Sequence, residues 1–129
     1  DVVGINANLR RGTAEHPDTA RSLSGAETDQ KLAWVREAAG ARFDDLEIQQ
    51  HAGFVMFTDD RQSLAEAMAP AFGVRPEFAL ETPIALVGSS EQMVEDLLAR
   101  RERWQMSYIV VDAAVAEQFA PIVDRLAGT

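Results

Sequence analysis

Gly88-Ser89-Ser90-Glu91-Gln92 joins a short apolar run to a stretch of helical periodicity, the setting in which the free amides of a helix N-terminus bind phosphate. The same residues fit a capping box, where a serine oxygen accepts from an early amide and Gln92 reaches back to the cap's own N–H. The cap accounts for every residue of the turn, whereas an anion there would meet the Glu91 carboxylate in the first helical turn. Asn6 and Asn8 stand where the first apolar run ends. Turn geometry and ligand binding both use asparagine at such a place. His51 is the only histidine outside the first loop, and one imidazole in a strand serves as a hydrogen-bonded structural group or as a base. His16, before Pro17, reads as a solvated loop residue.

Other chemistry is thinner. Asp44-Asp45 and Asp59-Asp60 resemble carboxylate pairs for a hard cation, but each lies at an element boundary where capping uses the same residue type. No HExxH, EF-hand or G-x-S-x-G spacing is present, and no metal is expected. Arg100, Arg101 and Arg103 alternate with Glu102 on a helix whose other face is apolar, which predicts a solvated face.

The elements that position these residues follow from periodicity. VVGI at 2–5 reads as a buried parallel strand, followed by a long polar loop through Gly25. A helix is expected from Glu27 to Ala39, with Thr28 as its cap and Gly40 as its stop. Leu46 to Phe57 reads as one strand with a bulge or close approach at Gly53. Thr58-Asp59-Asp60 caps a helix limited by Pro70, and Pro76 opens the short helix PEFALE before Pro83. IALVG at 84–88 is a third strand. Met93, Val94, Leu97, Leu98 and Trp104 mark one stripe of the helix after it. SYIVV at 107–111 is a fourth strand, and Val115, Phe119, Ile122, Val123 and Leu126 face inward from a last helix interrupted at Pro121. Strand then helix, four times over, implies an α/β fold of parallel strands with right-handed crossovers, either a small open sheet or half of an eight-fold barrel.

Composition narrows the class. With 129 residues, 47% hydrophobic and 26% charged, the chain reads as one soluble domain. A formal charge of −9 disfavours nucleic acid and anionic membranes, leaving small molecules or protein chains as partners. Cysteine is absent, which removes disulfides and thiolate chemistry and suits a cytoplasmic setting. No apolar run approaches the roughly 20 residues of a membrane span. The start at Asp1, directly before an apolar strand, leads us to expect a processed protein or a piece of a longer one.

The segments DVVGIN, TDQKLAWVREAAGARFDDLEIQ, TPIALVGSSEQMVEDLLARRERWQMSYIVV and EQFAPIVDRLAG together resemble the C-terminal half of luciferase-like oxidoreductases, in the branch that uses the deazaflavin coenzyme F-420. The resemblance spans nearly the whole chain. It implies the last four β/α units of a TIM-type (β/α)8 barrel over residues 1–129, and hydride transfer between coenzyme F-420, or FMN as the alternative, and an organic substrate. It places Asn6, Ala7 and Asn8 beside the cofactor phosphate, and assigns no catalytic residue. It also implies an N-terminal half, or a second chain in a homodimer, to complete the site; the chain alone would be inactive. A non-catalytic half-barrel that associates through open sheet edges is the other expectation.

Overall fold

The computed structural model describes residues 1–13 and 16–129; Ala14 and Glu15, within the polar segment expected to be a loop, lie outside the described residues. Five strands and six α-helices alternate along the described chain: β1 Val2–Gly4, α1 Pro17–Arg21, α2 Gly25–Ala39, β2 Glu47–Ala52, β3 Phe54–Phe57, α3 Arg61–Met68, α4 Pro76–Glu81, β4 Ala85–Gly88, α5 Ser90–Trp104, β5 Met106–Val111 and α6 Ala116–Leu126. The protein is therefore α/β, with parallel sheets and interleaved helices, and no closed barrel is seen among the described residues.

Three local differences from the sequence reading have physical causes. The strand expected from Leu46 to Phe57 is two strands, because Gly53 interrupts the ladder and β2 and β3 join different sheets. The expected loop contains a 3-10 turn, Leu9–Arg11, and α1, which starts at Pro17 with His16 Nδ1 accepting from the Asp18 N–H at 3.2 Å. His16 is thus a cap. The cap of α2 is Ser24, not Thr28: Ser24 Oγ accepts from the Glu27 N–H, while the Thr28 hydroxyl donates back to the Ser24 carbonyl inside the helix.

β2 is the centre of a three-stranded sheet in the order β1-β2-β5, and β3 pairs with β4 in a separate two-stranded sheet. A sequential barrel order would seat β4 between β2 and β5. Here β5 pairs directly with β2, with a register shift between Ile48 and Gln49 that absorbs Ser107. Along β2, Ile48, Gln50 and Ala52 are buried while Glu47 and His51 are exposed, the alternation of a sheet covered on one face. The register lines up Ile48 with Met106, Gln50 with Ile109 and Ala52 with Val111 on the covered face, and Gly4 and Tyr108 with Gln49 on the other. β4, by contrast, is buried at all its positions, enclosed from both sides.

Two apolar clusters fill the covered side. Ile5, Leu23, Leu32, Phe43, Ile48, Trp104 and Met106 form one; Ala52, Leu86, Met93, Val94, Leu97, Phe119 and Ile122 form the other. Trp34 on α2 is 59% exposed, and Leu98 and Val123, expected to face inward, also face outward. Their stripes are wider than the surfaces available to bury them. Gln50 is the polar exception within the covered face: its Nε2 donates to the His51 carbonyl at 2.8 Å, and its buried Oε1 has no partner.

Candidate functional site

Ligands of parallel α/β sheets bind outside the carboxyl ends of the strands, where loop backbone and side chains converge. Two such regions carry the residues of interest. One lies after β1 and at the ends of β2 and β5 on the uncovered face. The other lies after β3 and β4.

After β1 the chain turns through Asn6, Ala7 and Asn8. Asn6 is exposed, and its carbonyl accepts from Lys31 Nζ at 2.9 Å. Asn8 is committed to the turn: Oδ1 accepts from the Arg10 N–H at 3.1 Å, and its own N–H donates to Ser22 Oγ at 2.8 Å. Ala7 is half-buried against an apolar cavity. Lys31, which sequence reasoning passed over although it is the chain's only lysine, also donates to the Ser22 carbonyl. Desolvation by burial is the main cause that lowers its pKa, with the Glu27 charge opposing. The ammonium therefore braces the turn from α2 and brings a positive charge to the end of β1.

His51 acquires a partner invisible in the linear sequence. The parallel register sets His51 beside Val110, so that Asp112, just past β5, reaches it: His51 Nε2 and Asp112 Oδ1 are 3.4 Å apart, with side chains 49% and 65% exposed. A carboxylate at that distance can orient an imidazole that holds or moves a proton. Among the described residues no group of three or more His, Asp or Glu is placed to hold a metal ion.

The turn after β4 is a cap. Ser89 Oγ accepts from the Gln92 N–H at 3.2 Å, Gln92 Oε1 accepts from the Ser89 N–H at 3.0 Å, and the Ser89 carbonyl accepts from the Met93 N–H. An anion would be left with the amides of Ser90 and Glu91, facing the carboxylates of Glu91 and Asp59 that line the same cleft. Asp60 caps α3 in turn. Its carboxylate accepts from the Ser63 N–H at 3.0 Å and from the Ser63 hydroxyl at 2.7 Å, and the Ser63 backbone bond is the largest cause lowering its pKa. Asp44 and Asp45 close a 3-10 turn, Gly40–Asp45.

The arginine cluster of α5 is not one solvated face. Arg100 is 6% exposed and donates to the carbonyls of Thr82, Pro83 and Ala85, at 3.1, 3.2 and 2.6 Å. Burial pushes its pKa down to about 10, so it stays charged at neutral pH. Arg103 grips Asp29 through Nε at 3.0 Å and Nη2 at 2.7 Å, and Trp104 Nε1 donates to the same carboxylate at 2.7 Å. The Arg103 hydrogen bond is the first cause holding the Asp29 carboxyl below its usual range. A depressed carboxyl contributes stability that is present above its unfolded pKa and is lost as pH falls through the folded one. Wild type should therefore lose a component of stability from about pH 4 downward that Asp29→Asn lacks. Asp29 is 48% exposed, so that component stays under ~1 kcal/mol. Urea midpoints for both proteins across that window would check it, and parallel pH profiles would refute it.

The sequence matches no family model, no curated protein and no solved structure. The residues after β1 suit the phosphate end of a flavin-type cofactor by donor type, since the exposed Asn6 amide and the Lys31 ammonium are the groups that phosphate accepts from. The cavity against Ala7 measures about 40 Å³, far below the several hundred Å³ of an enclosed cofactor site. The remaining walls of such a site would have to come from other chain.

Proposed function

We propose that this chain forms the C-terminal four β/α units of a luciferase-like oxidoreductase barrel that uses coenzyme F-420 or, as the alternative, FMN. The observation that carries the reading is the half-covered parallel sheet. Parallel sheets occur almost only with both faces covered, yet among the described residues the face bearing Val2, Gln49, His51 and Tyr108 has no helical layer. In a barrel that face turns inward, toward the matching strands of the other half, and its carboxyl end becomes the wall of a cleft; the reading also requires the β3–β4 pair to insert between β2 and β5, which pair directly here. An upstream segment or a second chain supplies the other half in this reading.

Within that cleft the cofactor, when bound, would supply hydride chemistry. The chain's own residues have separable tasks. Lys31 and Asn6 attract and orient the phosphate, and His51, steadied by Asp112, exchanges a proton with the organic substrate. The test is binding of coenzyme F-420 and of FMN to longer material that includes the preceding barrel units, followed by absorbance of the bound cofactor. Retention of either through gel filtration supports the reading, and loss of binding in Lys31→Ala would tie it to this half. Longer, folded material that retains neither cofactor would remove it.

A second reading is favoured by the free outer edges of β1 and β5, together with exposed Val2 and Tyr108. Edges of this kind invite pairing, and the chain would then be a non-catalytic half-barrel that associates with a copy of itself. Light scattering separates the two: a folded monomer across the micromolar range counts against self-association.

A further inference from the structure

β2 gives one edge to β1 and the other to β5, and its hydrogen bonds show which residues face which strand. The Glu47 N–H donates to the Asp1 carbonyl and the Ile5 N–H to the Gln49 carbonyl, so Ile48, Gln50 and Ala52 turn their backbone groups toward β5. With Gln50 beside Ile109 in the register, Tyr108 and Val110 are the residues of β5 that answer them. The backbone groups of Ile109 and Val111 therefore point to the outer edge of β5, where no strand pairs among the described residues. Met106–Val111 contains neither a charge nor a proline, the usual devices against edge pairing. The opposite edge of this sheet is short, since β1 has only three residues.

We infer that β5 pairs antiparallel with β5 of a second copy of this chain, about a two-fold axis at Ile109. The inference rests on the self-association reading and gives it an edge, a register and a symmetry. Pairing about Ile109 sets Tyr108 opposite Val110 of the second copy, twice over, as non-hydrogen-bonded pairs on the uncovered face. An aromatic ring against a β-branched side chain is a favourable cross-strand pair, and Tyr108 is 47% exposed without it. Charge selects the antiparallel arrangement. β5 begins beside Arg101, which with Ile109, Val123 and Leu126 lines a groove next to the strand, and it ends at the exposed Asp112. Antiparallel strands direct each copy's Asp112 toward the other's Arg101, whereas parallel strands would bring the two Asp112 carboxylates together. The net charge of −9 on each copy opposes association, but none of it lies on the strand itself.

Sedimentation of the wild-type chain should show a particle of twice the chain mass. Because the chain has no cysteine, Tyr108→Cys/Val110→Cys is a direct probe of the register. Non-hydrogen-bonded antiparallel partners have Cα atoms about 4.5 Å apart, within disulfide range, so mild oxidation should give a covalent dimer linked between positions 108 and 110. Tyr108→Glu/Val110→Glu, which sets like charges opposite each other, should sediment as a monomer. Tyr108→Glu/Val110→Lys, which sets opposite charges there, should restore the dimer. Circular dichroism establishes that each variant is folded; if the glutamate pair is not, the cysteine pair carries the test. A folded wild-type monomer at the highest soluble concentration removes both the self-association reading and this assignment. A wild-type dimer that survives the glutamate pair, or whose cysteine pair forms no link, overturns the assignment alone, because association then runs through another surface.

Discussion

Replacing Arg100 by methionine should cost about 3 kcal/mol of stability. Among the described residues the guanidinium is a buried cation without a direct carboxylate partner. It is held by three carbonyls where the chain leaves α4 and enters β4, and Asp96, bound to Arg61 at 2.6 Å, supplies the nearest countercharge. Methionine fills a similar volume but returns nothing to those oxygens, and all three, on Thr82, Pro83 and Ala85, lie in buried residues. A buried acceptor stripped of its donor bears its desolvation cost in full. Chemical denaturation should show a lowered midpoint at unchanged slope. Arg100→Lys should fall between the two, because one ammonium on a thinner stem does not span three divergent carbonyls. A methionine variant within 0.5 kcal/mol of wild type, roughly the range of a surface substitution, would contradict this account.

The second large effect is expected at Gly88. It ends β4 with φ at +139°, a conformation that L side chains rarely adopt, and a Cβ there would stand 2.5 Å from Gln92 Oε1 and 3.2 Å from Gln92 Cβ. Gly88→Ala therefore adds backbone strain of roughly 1–3 kcal/mol and displaces the side chain that completes the capping box, worth about 1 kcal/mol more. The two parts can be separated. Gln92→Ala alone should cost only the cap, and the double variant should cost no more than Gly88→Ala by itself, because the collision is gone and the cap is lost once rather than twice. Additive losses would show that the strain and the cap are unrelated.

How legible was this in the sequence? Local signals carried far. Ser89 and Gln92 predicted their capping box because the pattern is satisfied within four residues, and Asp60, Pro76 and the apolar runs placed α3, α4, β4 and β5 within a residue or so. The absence of cysteine removed disulfide and thiolate chemistry before any element was placed. Misplaced residues were those whose neighbours come from elsewhere in the chain. Arg100 shares its helix and its charge with Arg101 and Arg103, and nothing local distinguishes the one that points between α4 and β4 from the one that reaches Asp29. No local signal marks Lys31 or Asp112; α2 brings the first under Asn6, and the register sets the second beside His51.

Sequence by itself determined the alternation of strand and helix, the parallel character of the sheets and the starts of α3, α4 and α5, because these follow from periodicities and hydrogen bonds that close within a few residues. Tertiary structure alone decided that Gly53 divides one strand between two sheets, that β5 lies against β2, and that the three-stranded sheet is covered on one face only. Those outcomes depend on which apolar faces find each other across thirty or more residues. Such a choice is made by packing and loop closure together, and no local pattern encodes it.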